Sequence, residues 1–379
     1  VRVTASHHVY LIPGMFGFGR LAGYDYFHHV REALSRRYAD AGVELVSQFV
    51  RTPPTSSLRH RGRILAKAVQ STAGTEGPIH LLGHSTGGLD TRLVLSPSTN
   101  LQIAPERLSW TPRVLSSVCI NTPHYGTPLA SYFSTVSGTR VLYALSLLTV
   151  VSLSIGEPSL AVFSKLLAGV GGLERLVGGD LRLISRLTDL LLRFVDEKGR
   201  GEIHDYLTKV RLDQGAIIQI MPEAMDLFNA SAEDDHRIRY GCVATAAPPP
   251  HPIRFAKRVR SPYAAFSAAM FSTLYQFAGQ QRAMYPYARP TAREQELLSH
   301  GIEHEVSERA NDGIVPTLSM LWGKLIWCGE ADHLDVLGHF PDDQRPRKHV
   351  DWLASGAPFT RQRFEDLMDA IVKFQLDQR

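Results

Sequence analysis

The sequence predicts an α/β fold, a mostly parallel sheet wound in both directions with helices on both faces. Short apolar runs alternate with segments of helical periodicity through the first third of the chain, and the alternation resumes after residue 236. The 379 residues, 44% hydrophobic and 21% charged, are enough for one large core and ordinary for a globular protein.

Each element follows from its pattern. Val9-Tyr10-Leu11-Ile12 reads as a buried strand stopped by Pro13-Gly14. Phe27, Val30, Leu34 and Tyr38 recur at helical spacing over Phe27–Ala41, and Val43–Val50 is strand-like again. Ile64–Val69 begins a helix, Ile79–Leu82 is a strand, Leu89–Leu95 a helix and Val114–Ile120 a strand. From about Ala130 the pattern is helical, punctuated by Gly171-Gly172 and Gly178-Gly179, which predicts an inserted lid or cap over residues 130–235. The core is then residues 1–129 and 236–379, with a second insertion near 247–306. Ile238–Thr245 resumes the sheet, Ala246–Pro252 is too rich in proline for a sheet interior, and Tyr263–Phe277 is helical. Leu325–Cys328 is a last strand, and a helix capped at Thr360 buries Phe364, Leu367, Met368 and Ile371.

Composition narrows the function. Lysine plus arginine exceeds aspartate plus glutamate by 41 − 37 = 4, without the basic stripe of a nucleic-acid binder. Cys119, Cys242 and Cys328 form no CxxC pair, which excludes a zinc ribbon and leaves one disulfide open. Val1–Tyr10 shows no basic stretch followed by an apolar one, so no signal peptide is read here. Val141–Gly156 holds no charge over 16 positions, short of the roughly 20 that span a bilayer, and is expected to cover a greasy cleft rather than to cross a membrane.

The sharpest motif is Gly83-His84-Ser85-Thr86-Gly87-Gly88, a G-x-S-x-G sequence between a strand and a helix. A serine on such a turn is presented to substrate, and the helix start offers amide donors to an oxyanion. It needs a base oriented by an acid, in the chain order Ser, acid, His. Asp312, in Asn311–Pro316, and His333, 21 residues later in Ala331–Asp335, meet that order at strand-end loops. Among the other fifteen histidines, His84 lies inside the turn and reads as structural, while His339 and His349 read as surface groups. Asp332 and Asp335 flank His333 too closely for good acid-to-ring geometry. Thr86 is the expected first oxyanion donor and Met15 the second, with Phe16 as the alternative. Phe16, His124 and Tyr125, beside these turns, are expected to contact substrate.

These motifs resemble bacterial triacylglycerol lipases of the α/β-hydrolase superfamily, of the Pseudomonas and Burkholderia kind. The matching residues are Pro13–Met15, Asp25–Leu34, Arg61-Gly62, Gly83–Gly88, Thr122–Thr127, Asn311–Pro316 and Asp332–Asp335. Pro13 stands where the family has histidine, and Thr86 where it has glutamine. The resemblance implies a mobile lid, an apolar acyl cleft, an ester substrate met at a lipid–water interface, and Met15 and Thr86 as oxyanion donors. It also implies a structural calcium, for which Asp335 fits one ligand position. His339 stands where another ligand is glutamine, and no aspartate lies at the family's distance before Asp312. No cofactor or metal is therefore expected. Polyester, phospholipid or lactone cleavage and acyl transfer would use the same triad, and a non-catalytic membrane-binding scaffold is the rival of another class.

Overall fold

Six strands, β1 (His7–Ile12), β2 (Leu45–Phe49), β3 (Ile79–His84), β4 (Val114–Ile120), β5 (Arg239–Ala246) and β6 (Lys324–Glu330), lie side by side in the order β2-β1-β3-β4-β5-β6. All five pairings are parallel. The computed structural model describes residues 6–17, 20–21, 24–135, 142, 197–251, 262–303, 306–342, 353 and 355–377. β3 is buried along its whole length, as a central strand covered on both faces must be.

Alternate strand residues feed opposite core layers. Val9, Leu11 and Leu82 join Val30 and Leu34 of α1 (His28–Asp40) and Leu367 and Ile371 of the C-terminal helix (Arg361–Leu376). Tyr10, Ile12 and Leu81 join Leu65 and Val69 of α2 (Leu58–Thr72) and Val94 of α3 (Thr86–Leu95). α2 begins a turn and a half before the apolar run that announces it, because the Ser57 side chain accepts from the His60 amide as its N-cap. Thr360 caps the C-terminal helix as its sequence predicts.

After β4 come α4 (Pro128–Phe133), then α5 (Glu197–Leu212), α6 (Gly215–Gln219) and α7 (Pro222–Ser231). Most of the expected lid, with Val141–Gly156 apart from Leu142, lies outside the described residues. Leu142 is fully buried in the larger core layer. Helix α8 (Pro262–Ala278) packs against α4. α9 (Ala292–Gly301) was not anticipated, although Thr291 and Glu294 form a capping box that its sequence displays. Among the described residues no helix is long and apolar enough to cross a membrane. All three cysteines are free. Cys119 and Cys242 face each other in register on β4 and β5, and burial pushes their thiols up to about 11 and about 12.

The chain runs from β1 outward to β2 and returns on the other side of β1 to β3. The C-terminal ends of β1 and β3 therefore flank a topological switch point, where open α/β sheets bind ligands.

Candidate active site

Ser85 follows β3 directly and takes φ 54°, ψ −129°, a backbone costing a non-glycine residue about 1–3 kcal/mol. Close packing holds it there. A Cβ on Gly87 would collide with the Ile12 carbonyl oxygen, and one on Gly14 would lie 2.5 Å from the Ser85 Cβ. The turn after β1 is thus pressed against Ser85, and the strain is imposed by two strands at once.

Asp312 and His333 meet across their loops. His333 Nδ1 donates to Asp312 Oδ2 at 2.6 Å, and the His333 amide donates to the Asp312 carbonyl at 3.1 Å. Asp312 is fully buried. Its Oδ2 also accepts from Asn121 Nδ2 at 3.0 Å, and its Oδ1 accepts from the Ile314 and Val315 amides at 2.9 and 2.7 Å. Donors on both oxygens stop the carboxylate from rotating away from the ring. With Nδ1 donating, Nε2 carries the lone pair of the imidazole.

His84 holds the histidine loop from behind. Its Nε2 donates to the His333 carbonyl at 2.9 Å, and its Nδ1 accepts from the Tyr26 hydroxyl at 2.8 Å. Burial, and then the charge His333 can carry, hold the His84 pKa well below its ordinary value. A neutral ring with this tautomer is the form that fits both partners.

Ser85, His333, Met15 and Phe16 line one apolar cleft of about 870 Å³, part of it open to solvent. Leu129, Phe133 and Ile220 form much of its wall. The Phe16 amide is spent on the Pro54 carbonyl at 3.0 Å, whereas the Met15 amide meets no acceptor among the described residues. Thr86, the first residue of α3, has no intrahelical acceptor for its amide. Fully buried Arg61 fixes the turn that carries Met15. It pairs with Asp90 at 2.7 Å and donates to the Pro13 and Pro53 carbonyls at 2.6 and 2.7 Å.

His124 and Tyr125 do not line the cleft; Pro123 and Thr127 of the same loop do. His124 is turned inward and fully buried, stacked on Trp322 at 5.5 Å with Nδ1 beside Arg92 at 3.3 Å, and Tyr125 packs on the same indole. His339, expected at the surface, is 2% exposed and lines the cleft. Gly338, at φ 97°, reverses the chain so that the His339 amide reaches the Leu334 carbonyl. Tyr26, Asn121 and His339 are the residues of the site that sequence reasoning missed.

The acidic pair beside His333 is engaged largely within its own loop. Asp335 Oδ2 accepts from the Asp332 amide at 2.9 Å, while Asp332 is engaged by Ser355 at 2.7 Å and by the Leu334 and Asp335 amides. Burial pushes the Asp332 carboxyl above its usual range. Among the described residues no third histidine, cysteine, aspartate or glutamate side chain joins these two in a ligating cluster, and calcium takes about six to eight oxygens.

No family model matches the chain. Its fold is shared along nearly its full length with a metagenomic carboxyl esterase, at TM-score 0.50 and 15% identity over 98% of this chain and 76% of that one. Staphylococcus hyicus lipase gives TM-score 0.50 and 16% identity over 97% and 95%. The chain has an α/β-hydrolase fold. Two curated relatives are triacylglycerol lipases. One, from Vibrio cholerae serotype O1, is 38% identical over 95 residues, 24% of this chain and 28% of that protein. The other, from Pseudomonas fragi, is 28% identical over 130 residues, 34% of this chain and 38% of that protein. These matches span about a quarter to two fifths of the relatives' lengths.

Proposed function

We propose that the protein is a serine hydrolase of carboxylic esters with apolar acyl chains, of the triacylglycerol lipase kind. One observation carries the reading: a serine held on a strained strand-to-helix turn shares an apolar cleft with a histidine whose Nδ1 is bound to a buried aspartate. The names of the relatives point the same way.

In the reaction, His333 Nε2 takes the proton of Ser85 Oγ, and the oxygen attacks the ester carbonyl. The Met15 and Thr86 amides bind the oxyanion, each such donor supplying ~3 kcal/mol in sites of this type. Asp312 holds the ring and stabilises the imidazolium. The alcohol leaves with the proton returned by His333, and water repeats the sequence on the acyl-enzyme. The lining by Leu129, Phe133 and Ile220 favours a greasy acyl group, and the exposed Leu212, Ile218 and Leu227 of α5 to α7 suit contact with a lipid–water surface.

The test pairs a fluorophosphonate probe with a series of nitrophenyl esters from short to long acyl chains. The expected result is covalent labelling at Ser85 and turnover that rises with acyl length, both abolished in Ser85→Ala. Labelling or turnover retained by that variant would overturn the assignment.

A further inference from the structure

Outside the cleft, the first two turns of α1 gather three metal-ligating side chains. His28, His29 and Glu32 each offer one ligand atom, and these atoms lie within 4.8 Å of one another. His28 and Glu32 stand one helical turn apart on one face, both exposed. His29 is half-buried, its ring 5.1 Å from that of His28.

The surrounding charges leave the carboxylate uncommitted. Arg31 pairs with Asp25 at 2.7 Å, and Arg36, one turn beyond Glu32, reaches Glu365 at 3.0 Å. Glu32 makes no ion pair among the described residues. His29 is also held in place: a Cβ on Gly338 would lie 2.6 Å from the His29 Cβ, and the ring meets that of His339 edge-on at 5.8 Å.

We propose that His28, His29 and Glu32 bind one divalent transition-metal ion of the zinc class, with water completing a four-coordinate shell. Two imidazoles and one carboxylate match zinc and its neighbours, whereas calcium and magnesium take oxygen shells. Tetrahedral bonds of about 2.1 Å put donors about 3.4 Å apart, so small rotations of the exposed His28 and Glu32 complete the site. The positive end of the α1 dipole opposes a cation and weakens its binding by roughly two- to fivefold. The bound ion fixes the first turn of α1 on His29, whose ring backs His339 in the cleft wall. The inference does not depend on the ester-hydrolase reading.

The chain has sixteen histidines, so zinc held elsewhere must be told apart from zinc held here. The full chain, stripped with a chelator, is titrated with zinc chloride by calorimetry beside His28→Ala and Glu32→Gln, and melting is followed with and without zinc. The expected result is one saturable equivalent in the wild type, weakened about tenfold or more in each variant. Zinc should raise Tm by more in the wild type than in either variant, with calcium chloride inert. Unliganded melting temperatures equal to that of the wild type show that both variants fold, and if one does not, the other carries the comparison. A wild type without a saturable site, or a site that the folded variants keep at the same affinity, would overturn the proposal.

Discussion

His84→Leu separates two consequences of a buried neutral histidine. The substitution removes the donor to the His333 carbonyl and the acceptor of the Tyr26 hydroxyl, both inside the protein. A buried polar group left without its partner costs about 1–3 kcal/mol, so the loss at pH 7.5 should be ~2–4 kcal/mol. Acid changes that figure. The folded pKa of His84 lies well below the ordinary 6.5, so on acidification the unfolded chain takes up a proton that the fold refuses. Wild-type stability from this group is complete above pH 6.5 and falls by ~1.4 kcal/mol per unit below it. At pH 5 the wild type has lost ~2 kcal/mol that the variant never had to lose, and the difference between the two shrinks by that amount. The equally buried His80 and His124 titrate with the same sign in both proteins and cancel. Urea unfolding of both proteins at pH 7.5 and pH 5 reads the difference directly. A stability gap that is the same at both pH values would show that His84 takes up its proton equally in the folded and the unfolded chain, and would refute a ring held neutral by the fold.

Two further substitutions probe how the site is held. Asn121→Gly keeps a residue suited to φ 47° but deletes a buried side chain that donates to both Asp312 and Thr245, so Tm should fall by a few degrees while kcat falls about tenfold at constant KM, the worth of one hydrogen bond to a charged group. An unchanged kcat would mean that the Ile314 and Val315 amides alone orient the carboxylate. Arg61→Ala leaves Asp90 buried and unpaired at a cost of ~3–5 kcal/mol, part of which Arg61→Met with Asp90→Leu, a pair closer in volume, should restore. Ester turnover should stay low in the double variant, because the tether to the Pro13 carbonyl is still missing; recovery of activity along with stability would show that the turn needs no such tether.

The legible parts of this protein were those written within a few neighbouring residues. The inner strands announce themselves as apolar runs because both faces of a parallel sheet are covered, whereas the edge strand β2, LVSQF, is only partly buried along its length and shows a weaker signal. The G-x-S-x-G turn, the Asn311–Pro316 turn and the Asp332–Asp335 loop could be ordered along the chain for the same reason. The start of α2 was hidden because Ser57, Leu58 and Arg61 show no apolar periodicity, and Arg61 in particular is drawn inside by Asp90 on another helix. His339 looked exposed among charged and proline residues, and only the left-handed Gly338 turns it inward.

What sequence could not supply is the set of contacts that make the turn around Ser85 rigid. His84 and His333 are 249 positions apart, and Asn121 and Asp312 are 191 apart, yet each pair is one hydrogen bond in space. No local pattern encodes such a bond, since it depends on loops from separate parts of the sheet arriving together beside its C-terminal edge. The strain of Ser85 has the same origin. Its backbone is tolerable only because Gly14 and Gly87 let the β1 turn press against it, and the Arg61 tether keeps that turn from relaxing. Ser85 and the turn that carries Met15 are therefore placed by the meeting of β1 and β3 rather than by any one motif. A change at Arg61 or His84, neither of which the proposed mechanism assigns a chemical step, should disturb the chemistry as surely as a change beside Ser85.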